Sequence, residues 1–168
     1  MVLRNSINNT SQPLTASSIT ATGIQATSLS FDSGTNTMSH YTVTTFTPSL
    51  AIGGSTTGIT YSSRTGTMIR IGKFASITMQ MVLSSKGSNT GDLRISLGIT
   101  TNSAANLYFP IAGQAITLPL NGQFVLGQLI GNDIFLYSTE NGGSAAPMDN
   151  TMIGNPTELY FNFNFVTT

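Results

Sequence analysis

Two loops of the sequence carry clustered polar side chains that can form several hydrogen bonds to the hydroxyl groups of a sugar. The longer loop is "TENGGSAAPMDN" and the earlier one is "SSKGSNTGD". Tyr137, just before the longer loop, offers a flat ring face on which a sugar can stack. The sequence therefore predicts a glycan-binding site formed by Tyr137, Glu140, Asn141, Asp149 and Asn150, with Lys86, Asn89 and Asp92 behind them.

The residue types that usually perform catalysis are scattered along the chain. His40 is the only histidine and there is no cysteine, so a His/Cys metal site and thiolate chemistry are not expected. Asp133 and Glu140 can flank the ends of one strand, but all six acidic residues lie beside turn residues and suit solvated loops better than a glycosidase pair. The sequence has no G-x-S-x-G elbow and no phosphate loop. We therefore expect a protein that is not an enzyme and has no metal and no cofactor.

The charge of the chain limits its partners. Six basic and six acidic residues give a net charge of zero, and only 7% of residues are charged. The chain has no basic patch for phosphates and no apolar run of membrane-spanning length, so we expect neither nucleic-acid binding nor membrane insertion. With 20 Ser and 26 Thr residues, its neutral, hydroxyl-rich surface suits an uncharged glycan or another copy of the same chain.

The elements that must position the loops are β-strands. "FASITMQMVL" and "LRISLGI" alternate between apolar and polar residues, as in strands with one buried face. Turn signals such as Gly131–Asn132–Asp133 separate about eight to ten such segments, and no helical pattern is found. The stretch "AIGGSTTGITYSSRTG" is predicted to be a turn-rich connection, and "SSKGSNTGD" is predicted to be a hairpin loop. The sequence therefore predicts an all-β fold, a jelly-roll-like antiparallel β-sandwich head spanning residues 41–168.

Residues 1–40 differ from the rest of the chain. Ser, Thr, Asn and Ala dominate them, and Leu14, Ile19, Ile24 and Leu29 recur every five residues. Alone, so few apolar side chains cannot offset the entropy lost on ordering. This segment is predicted to be an N-terminal stalk or attachment arm, either ordered by neighbouring chains or a disordered tail, and we favour the stalk.

The final stretch "LYFNFNFVTT" concentrates large apolar residues on one face of a strand. Leu159, Phe161, Phe163 and Phe165 occupy alternate positions, and side chains on a strand alternate between its two faces. Full burial of each side chain contributes roughly 1.5–3 kcal/mol. We therefore expect a central strand whose apolar face lies in the subunit core or in an oligomer interface.

Residues 46–91 read "FTPSLAIGGSTTGITYSSRTGTMIRIGKFASITMQMVLSSKGSNTG". This stretch resembles a head domain found at the C-termini of phage tail-fibre and tail-spike proteins, and in proteins of giant viruses and their satellite viruses. The matching residues are Phe46, Thr47, Pro48, Gly53, Gly54, Gly58, Ile59, Thr60, Tyr61, Gly66, Arg70, Ile71, Gly72, Lys86, Gly87, Ser88, Thr90 and Gly91. After Asp92 the sequence departs from that family, because "RISLGITTNS" replaces its usual Gly-Leu-Pro-Phe ending.

This resemblance implies a homotrimeric, β-structured head at the surface of a virion, where such heads contact host glycans. The leading hypothesis is therefore a viral fibre-like protein that attaches to a host surface without catalysing a reaction. One alternative is a purely structural module that joins three chains and binds nothing else. A second alternative is an enzyme that acts on glycans.

Overall fold

The computed structural model describes residues 28–31, 36–39, 41–103, 106–118, 122–140 and 145–168. In this part of the chain the regular structure is almost entirely β-strand, with one 3-10 turn at Asn150–Met152 and no helix that could span a membrane. The strands are β1 (Ser28–Phe31), β2 (Asn36–Ser39), β3 (Tyr41–Phe46), β4 (Ser49–Ile52), β5 (Thr60–Ile71), β6 (Phe74–Ser85), β7 (Leu93–Ser96), β8 (Leu107–Ile116), β9 (Gly122–Ile130), β10 (Asp133–Glu140), β11 (Ala146–Pro147) and β12 (Ile153–Val166).

Ten of the strands form one antiparallel sheet, and β1 pairs with β2 in a separate hairpin. The order in the large sheet is β3-β5-β6-β12-β8-β9-β10-β7-β4, with β11 added beside β10. Strand β8 joins two parts of this sheet, because its first half pairs with β9 and its second half pairs with β12. We call β3, β5, β6 and β12 the first half-sheet, and β9, β10, β7 and β4 the second half-sheet.

The sheet curls into a half-barrel. Strands β3 and β4 lie at opposite ends of the strand order, yet only Thr47 and Pro48 separate them in the chain. Two residues span only about 7 Å, so the two edges of the sheet must come together at this point. Curling brings the inner faces of the two half-sheets against each other, as in a β-sandwich.

The core between the half-sheets is built from the alternating strands that the sequence indicates. Leu159, Phe161, Phe163 and Phe165 of β12 are all at least 94% buried, between β6 on one side and β8 on the other. The ring of Phe163 stacks on Phe109 of β8, with a centroid distance of 4.0 Å and an angle of 10°. The phenylalanines of the last strand therefore pack inside the subunit.

Tyr61 and Arg64 of β5 close the seam between the two sheet edges. The Leu50 amide of β4 donates a hydrogen bond of 2.8 Å to the Tyr61 hydroxyl. The Arg64 guanidinium donates to the Pro48 carbonyl at 3.2 Å and lies 4.2 Å from the centroid of the Tyr61 ring. The Tyr61 side chain therefore stabilises the fold by joining β5 to β4.

Replacing Tyr61 with phenylalanine should destabilise the protein by about 1–2 kcal/mol, because the amide of the fully buried Leu50 loses its partner. Urea unfolding followed by circular dichroism measures this change. The control is Tyr108→Phe, since the Tyr108 side chain is 55% exposed and its hydroxyl can bond to water. Equal unfolding midpoints for the two variants would contradict the proposed role of the Tyr61 hydroxyl.

The predicted antiparallel all-β architecture is confirmed, but two local predictions are wrong. Residues 60–66, predicted as part of a turn-rich connection, form the first half of β5, where polar side chains face outward. The loop "SSKGSNTGD" was predicted to close a hairpin, but β6 pairs with β5 and β12 while β7 pairs with β4 and β10. This loop therefore carries the chain from one half-sheet to the other.

The N-terminal arm lies largely outside the described residues, as does His40. Within it, the segments 28–31 and 36–39 pair as the β1–β2 hairpin. The domain boundary at residue 41 and the choice between a stalk and a tail stay predictions.

Candidate functional site

The structure brings the two polar loops together, as the sequence-based site requires. The Gly91 amide donates to the side-chain oxygen of Asn150 at 3.1 Å, and Asp92 forms a backbone bridge with Asp149. The Lys86 ammonium donates to the carbonyl oxygens of Asn150 and Ile153, both at 2.7 Å. Lys86, Asp92, Asp149 and Asn150 therefore lie in one cluster at the junction of the half-sheets.

Most polar groups of this cluster are already bonded within the protein. Asn89 donates from its side-chain amide to the Thr57 carbonyl at 2.6 Å. The Asp149 carboxylate accepts hydrogen bonds from the hydroxyl and the amide of Thr151. The hydrogen bond from the Thr151 hydroxyl contributes most, and the one from the amide less, to lowering the pKa of Asp149 below its usual 3.8. The bonds therefore stabilise the turn at pH values above 3.8, and this stabilisation is lost when the carboxylate is protonated at lower pH. A sugar would have to displace such bonds to use these side chains.

Tyr137 lies on the outer face of the second half-sheet, opposite Pro147 of β11. Its ring centroid is 6.3 Å from that of Tyr108, at an angle of 58°. The pair offers an aromatic surface, because Tyr108 is 55% exposed. Glu140 ends β10, and Asn141 lies outside the described residues.

A groove on the outer face of the first half-sheet was not predicted from the sequence. Its volume is about 490 Å³, within the range of about 300–1,000 Å³ that is usual for ligand sites. Outward-facing side chains of three paired strands, with one residue of β8, line it: Thr65, Thr67, Thr78, Gln80, Tyr160, Asn162 and Ala112.

The strand register explains why these residues meet. Thr78 of β6 lies opposite Thr67 of β5 on one side and Asn162 of β12 on the other. Gln80 in turn lies between Thr65 and Tyr160. Directly opposed residues on one face of a sheet have Cβ atoms about 5 Å apart. The groove therefore presents two adjacent rows of hydroxyl and amide groups around the Tyr160 ring.

The groups that line the groove remain neutral at physiological pH. The Tyr160 hydroxyl donates to the Glu158 carboxylate, which raises the pKa of Tyr160 above 10.0 and keeps the phenol protonated. The Asn162 side-chain amide donates to the Thr78 hydroxyl at 3.0 Å and so orients it. No charged side chain is among the lining residues. This chemistry suits an uncharged ligand that carries several hydroxyl groups and an apolar ring face.

The acidic residues do not form a metal site in the described part of the chain, where no three His, Cys, Asp or Glu side chains converge. The single ion pair among these residues joins Arg94 to Asp133 at 3.3 Å on the second half-sheet. Asp133 is therefore paired with an arginine, whereas a glycosidase would need it to face a second carboxylate across the ligand.

Comparison with known proteins supports the fold. No family model and no curated protein matches this chain. The chain is similar to the crystal structure of the Dettilon tailspike protein (gp208), with a TM-score of 0.61 and 23% sequence identity. The similarity covers 75% of this chain but only 23% of the tailspike chain, so it concerns one part of a much longer protein.

Proposed function

We propose that this chain is the non-enzymatic head of a viral tail fibre or spike, which attaches the virion to a neutral glycan on the host surface. The observation that carries the proposal is the uncharged groove on the outer face of the first half-sheet. The similarity of fold to a tailspike protein supports its setting at the surface of a virion.

Glycan attachment agrees with the chemistry of the groove. A sugar presents hydroxyl groups around its rim and an apolar face of C–H groups. Gln80 and Asn162 can each donate and accept hydrogen bonds, while the Tyr160 ring offers a stacking surface. We also propose that the head works as a homotrimer. Three linked sites can bind a glycan-covered surface far more tightly than one site can.

The purely structural module is the second candidate, and the loop cluster favours it. Lys86, Asn89 and Asn150 use their polar groups to join loops to one another. Because these bonds lie within one chain and occupy the polar groups, they suit a module that binds no ligand. The glycan-acting enzyme is a third candidate, and it predicts shortened saccharides after incubation of the protein with its ligand.

A glycan array probed with the full chain, followed by affinity measurements on the best neutral oligosaccharide, tests the proposal. Gln80→Ala should weaken binding about tenfold, since one hydrogen bond contributes about 1.4 kcal/mol. The matched control is Gln114→Ala, because Gln114 also faces outward but does not line the groove. Circular dichroism should show both variants folded.

Each alternative gives a different result in this experiment. If Tyr137→Ala abolishes binding while Gln80→Ala does not, the ligand binds at Tyr137, which the sequence indicated. If the wild-type protein binds no neutral glycan, the attachment proposal fails and the structural module is favoured. Release of shorter saccharides by the wild-type protein would establish an enzyme.

A further inference from the structure

The outer face of the first half-sheet carries an apolar patch beside the groove. Tyr41, Ile71, Phe74 and Val166 follow one another across β3, β5, β6 and β12, because each is the register partner of the next. The next row begins with Val43 and Ile69. We call these six residues the apolar patch. The row beyond it contains Thr67, where the groove begins.

The apolar patch is unusually exposed for large apolar side chains. The exposed fractions are 63% for Tyr41, 57% for Val166, 53% for Val43 and 50% for Phe74, with Ile69 and Ile71 near 40%. Six of the nine large apolar side chains that are exposed in the described part of the chain belong to it. Their combined exposed area is about 600 Å², because a fully exposed aromatic side chain offers roughly 150–250 Å² and the Val and Ile side chains somewhat less. That is the upper end of what a typical monomer leaves uncovered.

We propose that the apolar patch is the surface through which copies of this chain meet. The inference rests on the homotrimer of the proposed function and identifies its contact. An area of about 600 Å² is close to the roughly 800 Å² that each partner buries in a stable interface. None of the six residues is charged, and Lys73 lies in the turn at the border of the patch.

The position of the apolar patch in the chain selects a second copy as the partner. Tyr41 belongs to the patch and is the first residue of β3. Contact between copies through this patch therefore brings the starts of their β3 strands close together. Strand β3 is also an end strand of the large sheet.

The outer face of the second half-sheet is a poorer candidate for this contact. Phe124 is 51% exposed there, but the same face carries the ion pair between Arg94 and Asp133. Charged residues are depleted from the centres of protein interfaces. The apolar patch is therefore the better match to a self-association surface.

The test measures the mass of the full chain in solution by light scattering after size-exclusion chromatography. The wild-type protein should have three times the single-chain mass of 17.7 kDa at micromolar concentration. Phe74→Asp should reduce this mass to that of one chain, because three carboxylates would enter the contact. Phe124→Asp is the matched control, with the same residue type and nearly equal exposure, and should keep the trimer mass.

Val43→Asp provides a second reading if Phe74→Asp fails to fold, since Val43 lies on the edge strand and is 53% exposed. A trimer that survives both substitutions overturns the contact surface but leaves the homotrimer standing. A wild-type protein that remains a single chain overturns both the inference and the homotrimer. Glycan binding in the groove is tested separately by the glycan experiment. Dissociation by Phe124→Asp alone would move the contact to the second half-sheet.

Discussion

Phe163→Ala should lower the free energy of unfolding by about 3–5 kcal/mol, as is usual when a buried phenylalanine is truncated. Phe163 is 96% buried and stacks on Phe109, and its ring centroid lies 5.7 Å from those of both Phe161 and Phe165. Removing it opens a cavity at the centre of a row of four rings. Typical domains are stable by only about 5–15 kcal/mol, so a large part of the stability would be lost.

Urea unfolding monitored by circular dichroism measures this loss. Asn164→Ala is the matched control, because Asn164 is the next residue of β12 but faces outward and is exposed. It should change the free energy of unfolding by less than about 0.5 kcal/mol. Since Phe163 lies inside the subunit, its truncation should lower the midpoint of unfolding, whereas Phe74→Asp should chiefly change the mass. A Phe163→Ala protein that unfolds like the wild type would contradict the packing described here.

The sequence predicts those parts of the fold that depend on alternation within one strand. The apolar face of β12 and that of β6 both follow from the period of two, and the structure buries both faces. The first half of β5 was missed because Ser62, Ser63 and Arg64 interrupt any alternation. Its partners on β6 supply the pairing that the local sequence does not indicate.

The groove could not be predicted because it depends on register between strands far apart in the chain. The polar residues of each strand are visible in the sequence, including Thr78, Gln80 and Asn162. That Gln80 lies opposite Tyr160, 80 positions later, is decided by how the two apolar faces align in the core. The alternation in β12 indicates that Tyr160 and Asn162 face outward, but it does not indicate which residues of neighbouring strands lie beside them.

The resemblance to viral head domains rests on residues that hold the fold. Gly66 lies against the Phe46 ring, where a Cβ atom would come within 2.2 Å of a ring carbon. Gly53 has a φ of 56°, and a Cβ atom there would lie 2.2 Å from the Thr90 carbonyl oxygen. Both positions therefore require glycine for steric reasons. Matching residues of this kind can identify an architecture without indicating where a ligand binds.

Lys86 is the matching residue whose role is most open to test. The sequence suggested that its ammonium group contacts a glycan, whereas the structure places it between two loop carbonyls, at 2.7 Å from each. Lys86→Met keeps most of the aliphatic chain and removes both hydrogen bonds. Hydrogen bonds that involve a charged group contribute about 1.5–3 kcal/mol. We expect the free energy of unfolding to fall by about 2–4 kcal/mol, since part of each bond can be replaced by water.

Urea unfolding at neutral pH measures this effect, and glycan affinity is measured on the same sample. Lys73→Met is the control, because Lys73 lies in the exposed turn between β5 and β6 and its substitution removes the same charge. A large loss of stability at Lys86 alone, with glycan affinity unchanged, would identify Lys86 as the residue that joins the 84–92 loop to the start of β12. If Lys86→Met leaves the stability unchanged but abolishes glycan binding, the ligand binds at the loop cluster and not in the groove.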